Sequence, residues 1–401
     1  MSLNPFAAGV QSQLRHDLPY AWFRWHQANS SPLFRKRHLT EMNERLLAYL
    51  DCYLISEKSG AAIAENVKLE DWGAVFAIAL TAILSNDMAG FQRAVEAMAE
   101  PRHSEELSDA LCRVEFETAR PYLTAMARHP NPLARIAVIK AAGRHACEIN
   151  ESWLAPMLQD SSPEVRIAAL EIIGNNQLSA FKQNVKALLT HEDEAIRFYA
   201  AYAGNQIGVK EAYTVLTPYG YRETPHFRKA LGLLYPMLDY ETILRAVNRI
   251  LEGSYSIRIK TYNLAMAGLP DEIPVLLEWM KNPLHAQLAA EAFTFITGAD
   301  LIEEDLIQDP KEISGSVKKQ LKQDRKQDSW TQSYEEDLPW PDPEAVAVWW
   351  EKNQYRFKTG TRYLAGKTLT EEHLRQVSEE GTQPQRHQAE LILRLYHASG
   401  A

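Results

Sequence analysis

Residues 129–143 read HPNPLARIAVIKAAG, residues 159–174 read QDSSPEVRIAALEIIG, and residues 191–204 read HEDEAIRFYAAYAG. The three stretches are copies of one frame: a turn, a basic residue, and then small and aliphatic residues at helical spacing. Each copy has one arginine, and these arginines follow each other at 31-residue intervals: Arg135, Arg166 and Arg197. A fixed period of this length is typical of stacked helical hairpins.

The same phase continues beyond the three clear copies. It recurs more weakly at Arg228 and Arg258, and a sixth copy has Gln287 in the arginine position. One hairpin cannot bury its own apolar face, whereas neighbouring hairpins in a stack cover each other. The sequence therefore predicts an all-α solenoid over residues 129 to about 298.

Apolar residues within these copies recur at positions that share one helix face. They define the expected core line: Ile136, Ile139, Ala142, Ile167, Leu170 and Ile173. Ala168 and Ala169 are small enough for adjacent helices to approach closely.

The second copy resembles HEAT-like repeats of the short, bilin-lyase-associated kind, whose frame runs Asp, Pro, x, Val-Arg, x, Ala-Ala, aliphatic, Gly. The matching positions are Asp160, Pro163, Val165, Arg166, Ala168, Ala169 and Gly174. The resemblance implies a right-handed α-solenoid, a HEAT/armadillo-like superhelix.

Helical periodicity continues on both sides of the repeats. We expect residues 1–128 to form an N-terminal helical cap and residues 338–401 a C-terminal helical cap, with the repeats at 129–300 between them. Residues 303–337 carry many charges and few large apolar groups, so we expect a flexible insertion there that can form a short helix around Val317 to Lys322 but buries little surface.

The composition of the chain indicates its cellular compartment and limits the classes of partner that it can bind. The chain has 401 residues, 46% of them hydrophobic, with 43 Lys and Arg against 52 Asp and Glu, which gives a net charge of -9. No global field attracts nucleic acid, no apolar run approaches 18 residues, and no secretory signal is visible. Three widely spaced cysteines fit a reducing compartment. We expect a cytoplasmic protein that binds neither membrane nor nucleic acid.

Motifs that carry chemistry are weak. Gly360 to Thr368 reads GTRYLAGKT, which has one residue too many between its glycines for a phosphate-binding loop. His387 with Glu390 and His145 with Cys147 are isolated pairs, whereas a metal site needs three or four convergent ligands. We expect no catalytic residue, no metal and no cofactor.

Two sets of residues remain as candidates for structural or binding roles. The periodic arginines, Arg135, Arg166, Arg197, Arg228 and Arg258, form either a structural ladder or a groove for an acidic partner. In the ladder, Asp160 and Asp193 are suitable acceptors. The C-terminal candidates for packing or docking are Trp349, Trp350, Arg362, Tyr363 and Arg386.

The terminal segments resemble a proteobacterial family without an established activity. The resemblance is carried by LTEMNERLLAYLDCYLISEKSGAAI, WGAVFAIALTAIL, LPWPDPEAVAVWW, GTRYLAGKTLT and EEGTQPQRHQAELIL. Near the start the family motif is matched at Leu46, Ala48, Leu50, Asp51 and Leu54, whereas Asn43 and the Cys52-Tyr53 pair depart from it. Genes of this family often lie beside those for type VI secretion spike, tip and adaptor proteins.

Two classes of function follow. The first is a non-enzymatic scaffold that binds a protein, which the family resemblance extends to an adaptor, chaperone or immunity protein for a type VI secretion effector or spike. The second is an enzyme on a HEAT-like scaffold, either a bilin-lyase relative or a DNA glycosylase. The glycosylase would need a basic track for phosphates, which the charge pattern does not provide.

Overall fold

The structure, a computed structural model, describes residues 5–56, 71–145, 151–327 and 335–399, and describes side chains for residues 16–52, 71–145, 153–325 and 335–397. Cys147 lies outside these ranges, so its pairing with His145 is not described.

Helices make up nearly all regular structure in the described ranges. Residues before 213 contain α1 Pro5–Ser30, α2 Lys36–Ser56, α3 Ala74–Leu84, α4 Met88–Glu96, α5 Arg102–Cys112, α6 Phe116–Met126, α7 Pro132–Arg144, α8 Glu151–Leu154, α9 Pro163–Asn175, α10 Lys182–Leu188, α11 Glu194–Gln206 and the start of α12 Lys210–Leu216. Later residues contain α13 Phe227–Leu234, α14 Tyr240–Glu252, α15 Ile257–Ala267, α16 Ile273–Met280, α17 Ala286–Thr297, α18 Gly315–Gln327, α19 Pro343–Asn353, α20 Glu371–Glu380 and α21 Gln383–Ser399.

Shorter elements connect these helices. Single 3-10 turns occur at Ala155–Gln159, Ser179–Phe181, Thr217–Tyr221, Tyr235–Met237, Pro270–Glu272, Pro310–Glu312 and Gln354–Arg356. One antiparallel hairpin joins β1 Tyr363–Leu364 to β2 Lys367–Thr368, with Tyr363 opposite Thr368. This small hairpin lies in the GTRYLAGKT stretch, where the sequence shows no alternation that would predict strands.

The chain divides into two compact units. The first contains Met1–Ala28 and His38–Ala212, and the second contains Asn29–Arg37 and Tyr213–Ala401. The division falls inside the predicted repeat region. In their described residues both units are all-α, apart from the hairpin of the second, and both contain helices stacked in a row.

In the first unit, the second helices of successive hairpins form one row. Helix α3 packs against α5, α5 against α7, α7 against α9, and α9 against α11. The row therefore includes helices of the predicted N-terminal cap as well as the three clear repeats. The expected core line is buried, except at Ile167, which is only partly covered.

Turn chemistry starts the repeat helices where the frame predicts it. The Asn131 side chain accepts from the Leu133 amide before α7, and the Asp193 side chain accepts from the Ile196 amide before α11. Such acceptors satisfy amides that have no partner within a first helical turn. Pro132 and Pro163 occupy the first position of α7 and α9, where no amide hydrogen is needed.

Close approach of adjacent row helices explains the glycine of the frame. A β-carbon at Gly174 would lie 2.8 Å from Nε2 of Gln206 and 3.0 Å from the α-carbon of Ala203. A β-carbon at Gly143 would instead meet the flexible end of Ile172. Since backbone yields less than a side chain does, Gly174 is the stricter requirement.

In the second unit, α13, α15 and α17 form the corresponding row, and α21 packs against α13. The β1–β2 hairpin packs against α17. Its amides bind helix ends: the Ala365 amide donates to the Phe295 carbonyl at 2.8 Å, and the Gly366 amide to the Ile296 carbonyl at 2.9 Å. These carbonyls belong to the last turn of α17, which has no partners within its own helix.

The segment expected to be a flexible insertion at 303–337 differs from that expectation in its described part. Helix α18 includes the short helix expected around Val317 to Lys322, but the segment also buries Leu306, Ile313, Arg325 and Glu335, which was not expected. Isolated bridge pairing joins Ile307 to Pro341. Composition alone did not reveal this, because two of the buried groups are charged residues that pair with each other and with the helix row.

Candidate functional site

The arginine of the first repeat bonds to the turn of the next repeat. Arg135 donates through Nε and Nη2 to the Asp160 carboxylate at 2.8 and 2.7 Å, and both side chains are 12% exposed. Its Nη1 donates to the His129 carbonyl at 2.6 Å. Burial would raise the pKa of Asp160, but hydrogen bonds from Arg135 and the Ser162 amide outweigh burial and lower it.

The next two arginines make weaker forms of this contact. Arg166 also reaches 25 positions ahead, where its Nη1 lies 3.2 Å from Nε2 of His191, while its Nε has no hydrogen-bond partner among the described residues. Arg197 bonds to its own turn, donating to the His191 carbonyl at 2.6 Å. Asp193, expected as an acceptor for the ladder, caps α11 instead.

The position 25 residues after Arg197 is Arg222, which cannot accept a hydrogen bond from it. The next two periodic arginines lie in the second unit. Arg228 lies 4.3 Å over the Tyr262 ring and 3.8 Å from the Glu291 carboxylate. Arg258 donates twice to the Glu335 carboxylate, at 2.8 Å each.

Among the C-terminal candidates, Arg362 has the most contacts with backbone. It donates to the carbonyls of Ala267, Tyr235 and Met266 at 2.9, 3.0 and 3.0 Å, and burial lowers its pKa to about 10. The amide of its neighbour Tyr363 donates to the Gly268 carbonyl at 2.8 Å.

The close contact at Gly268 requires glycine for two reasons. Its φ is +69°, and a β-carbon there would lie 2.4 Å from the Tyr363 carbonyl oxygen. The hairpin thus caps the carboxyl end of α15 directly.

The remaining candidates also face the interior of the second unit. Trp350 is 9% exposed, with its ring centre 5.2 Å from that of Phe357, and Trp349 packs edge-on against Phe293 at 5.5 Å. Arg386 donates to the Ser378 carbonyl at 2.9 Å and so joins α21 to α20. These contacts favour packing over docking for this set.

A line of part-exposed, mostly polar side chains on the row helices of the first unit was not predicted from the sequence. Its members occupy equivalent places on α5, α7, α9 and α11 and are at least partly exposed. We call it the second-helix surface: Glu105, Lys140, Arg144, Glu171, Asn175 and Tyr202. Lys140, Glu171 and Tyr202 are 31 residues apart, as are Arg144 and Asn175. The period that revealed the arginines could therefore have revealed this line too.

Charges on this surface are held in place by neighbouring helices. Lys140 is paired with Glu105, and Arg144 with both Glu105 and Asp109. Asp109 is 4% exposed and also accepts from Nε1 of Trp22 at 2.9 Å. Burial would raise the pKa of Glu105, but Lys140 and Arg144 outweigh it and lower the pKa. Arg144 is 46% exposed.

Aromatic groups continue the surface on α11. Tyr202 stacks on Phe198 with ring centres 6.0 Å apart, and Tyr199 meets Phe198 edge-on at 5.1 Å. The surface therefore combines fixed charges at one end with partly exposed tyrosines at the other.

Metal-binding clusters and membrane-spanning helices are both absent from the described residues. No group of three or more His, Cys, Asp or Glu side chains is placed to hold a metal ion in that part of the chain. No helix in the same part has the length and apolar character needed to cross a membrane.

Comparison with known proteins bears on the repeats. Residues 151–232 match the family model described as HEAT repeats. No curated protein and no solved structure matches the chain. The matched stretch includes α9 and α11 of the row and thus Glu171, Asn175 and Tyr202. Repeats of this type generally mediate protein–protein interaction, and residues 151–232 of this chain are similar to them.

Proposed function

We propose that this chain is a non-enzymatic scaffold that binds a protein partner, and that the partner contacts the second-helix surface of the first unit. The observation that carries the proposal is the alignment of part-exposed side chains on stacked helices, two of which lie within the HEAT-repeat match. Stacked repeats provide long binding surfaces of this kind.

The composition of the surface suits a protein partner. Tyrosine and arginine contribute more than other residues to the energy of protein interfaces, and Tyr202 and Arg144 are both available at the surface. The charges of Glu105 and Lys140 are already paired, so their role would be to fix the register of the partner more than to supply affinity.

The finer proposal rests on the resemblance of the terminal segments. It makes the chain an accessory factor of a type VI secretion effector or spike protein, acting in the cytoplasm as an adaptor, chaperone or immunity protein. An enzyme on the same scaffold remains the alternative.

The proposal is tested by blocking the surface without touching the core. Asn175→Arg adds bulk and charge at an exposed position of α9, whereas Asn184→Arg makes the same change at an exposed position of α10, outside the row. Tagged chains would be compared for co-purifying proteins in a type VI secretion strain, after equal melting temperatures are verified.

The expected result is that Asn175→Arg and Tyr202→Ala lose a specific partner that Asn184→Arg retains. Retention of the same partner by all three variants would contradict the proposed surface. Recovery of an effector or spike protein supports the finer role, and recovery only of proteins unrelated to secretion contradicts it.

A further inference from the structure

The second unit contains a cavity of about 220 Å³, well above the roughly 10–15 Å³ that one water molecule requires. Two helices each line it with a stripe at i, i+3 and i+4 spacing. From α17 come Glu291, Thr294 and Phe295, and from α20 come His373, Gln376 and Val377. Other walls are mainly apolar. The cavity can therefore accommodate a small ligand with an aliphatic body.

Glu291 is the carboxylate of this cavity wall whose bonding is incomplete, and the Oγ1 atom of Thr294 and the Nδ1 atom of His373, in the same wall, also have no hydrogen-bond partner among the described residues. The Glu291 side chain is 13% exposed, and it lies 3.8 Å from Arg228, which is too long for a hydrogen bond. No hydrogen bond to the Glu291 carboxylate forms among the described residues. A buried carboxylate without hydrogen bonds is costly, so a donor that reaches it through the cavity gains a favourable contact.

The cavity already holds one cation of the chain itself. The Arg35 guanidinium donates to the Asp300 carboxylate at 2.6 Å and to the Glu380 carbonyl at 3.0 Å. All three residues line the cavity. The geometry shows that its walls can accept a positive group carried on an aliphatic stem.

Charge in the cavity walls also favours a cation. Three carboxylates border it, those of Glu291, Asp300 and Glu380, against the cations Arg35 and Lys367. The carboxyl ends of α17 and α20 lie at the wall and contribute partial negative charge. The amino end of α21 has the opposite sign, but Gln385 Oε1 already accepts from the Thr382 amide there.

We propose that this cavity binds a primary ammonium group on a short aliphatic chain, with the ammonium donating to Glu291 and the chain packed against Phe295 and Val377. The same chemistry is supplied by a free alkylamine and by the lysine side chain of a peptide. The proposal concerns the second unit and does not rest on the interface proposed for the first.

Binding should depend on pH. Burial raises the pKa of Glu291 to about 7, with Arg228 opposing the shift and Glu335 adding to it. A bound ammonium lowers this pKa, so binding releases a proton near neutral pH and strengthens as pH rises through 7. The other charged or titratable groups around the cavity are Arg35, Asp300, Lys367, His373 and Glu380.

The test uses the full chain and three probes: n-pentylamine, Nα-acetyl-lysinamide and the neutral n-pentanol. Affinity is measured by calorimetry in two buffers of different ionisation enthalpy, from pH 6 to pH 8. The expected result is saturable binding of at least one amine, with proton release, and at least tenfold weaker binding of n-pentanol.

Variants connect binding to the cavity. Glu291→Gln removes the charge and should weaken amine binding at least tenfold, and Gln376→Lys, at an exposed position of the wall, should weaken it by repulsion while leaving the core intact. Glu372→Gln, an exposed change on α20 that does not line the cavity, should leave affinity unchanged.

Stronger binding of acetyl-lysinamide would identify a lysine side chain as the ligand, and stronger binding of n-pentylamine a free amine; either supports the shared chemistry. Failure of both amines to saturate, equal affinity for n-pentanol, or unchanged affinity in both Glu291→Gln and Gln376→Lys would overturn the proposal.

Discussion

Arg362 donates through Nη1 to the backbone carbonyl of Tyr235, 3.0 Å away and 127 positions earlier in the chain. The same guanidinium binds the carbonyls of Met266 and Ala267 at the end of α15. A single side chain thus binds two carbonyls of the last turn of α15, which have no partner within that helix, and the Tyr235 carbonyl just after α13, which also accepts from the Leu238 amide. The closing segment of the chain is therefore part of how the second unit folds.

Arg362→Ala should strongly destabilise the second unit. Removal leaves three buried carbonyls without this donor. A hydrogen bond from a charged donor contributes about 1.5–3 kcal/mol, and the three contributions are not fully additive. We expect a loss of about 3 kcal/mol or more in the free energy of unfolding, measured by urea denaturation. Arg375→Ala, at an exposed pair with Glu371, is the control and should change stability by less than about 1 kcal/mol. Equal urea midpoints for the two variants would show that the hydrogen bonds of Arg362 do not stabilise the second unit.

The Arg135–Asp160 contact should be the strongest rung of the ladder. Arg135→Ala is expected to cost about 2–3 kcal/mol, because a two-point charged contact and a turn carbonyl lose their donor. Arg166→Ala should cost about 1 kcal/mol, since Arg166 contacts only the His191 ring across the repeats. Thermal unfolding of both variants compares the two losses. A larger loss for Arg166→Ala than for Arg135→Ala would contradict the assignment of Arg135–Asp160 as the strongest contact.

The same rung predicts a pH effect with a definite sign. The folded-state pKa of Asp160 is lowered from 3.8, so its stabilisation is present above about pH 4 and is lost as pH falls through the folded-state value. Asp160→Asn should therefore be less stable than the natural chain at pH 7, and the difference should shrink toward pH 3. A difference that stays constant between pH 7 and pH 3 would rule out the ionised carboxylate as its source.

The sequence predicted the helical repeats because their frame is local: a turn acceptor, Pro132 or Pro163, and apolar residues on one face. It also predicted Asp160 as an acceptor, since the period places it beside Arg135. It could not predict that Arg258 would pair with Glu335, or that Arg362 would reach Tyr235. Such contacts join segments far apart in sequence and leave no periodic trace. Asp193 shows a further limit, because a carboxylate can accept from a helix amide, from an arginine or from both, and the period does not say which of these contacts forms.

Gly174→Ala should be clearly more damaging than Gly143→Ala. The new β-carbon at 174 would press on the Ala203 backbone, whereas at 143 it meets the end of the Ile172 side chain, which can change rotamer. We expect a loss of about 1–3 kcal/mol for Gly174→Ala, typical of overpacking, and a smaller one for Gly143→Ala. Urea midpoints of the two variants make the comparison, and a reversed order would show that the row helices are not spaced as described.

Ionisation of Glu291 should make the second unit less stable as pH rises. Its folded-state pKa is about 7 against an ordinary value of 4.5, mainly because of burial. The stability linked to the bound proton is fully present below pH 4.5 and is lost as pH rises through 7, a change on the order of 3 kcal/mol. Glu291→Gln should flatten the dependence of the free energy of unfolding on pH, so the variant should become more stable relative to the natural chain between pH 5 and pH 8. A parallel profile in the variant would contradict the raised pKa.

Glu335 should be essential for packing the segment before α19 against α15, although the residues around Glu335 in sequence are mostly polar. The carboxylate is 2% exposed, bonds twice to Arg258, and lies 3.6 Å from Nε of Arg325. Breaking a buried pair from one side leaves an uncompensated charge and typically costs 3–5 kcal/mol. We expect about that loss for Glu335→Ala, measured by urea denaturation, with Glu336→Ala, at the exposed neighbouring position, as the control.

The double variant Arg258→Met, Glu335→Ala tests whether the loss in Glu335→Ala comes from leaving the Arg258 charge without a partner. It removes both partners of the Arg258–Glu335 pair, so it should recover part of the stability that Glu335→Ala loses, because the Arg258 charge is then not left without its carboxylate, while Arg325 keeps its hydrogen bond to Gln287. The same reasoning predicts that replacing residues 304–336 by a short Gly/Ser linker destabilises the chain, since that change also strands Arg258. If the linker variant is as stable as the natural chain, the pair contributes nothing and residues 304–336 are a dispensable insertion after all.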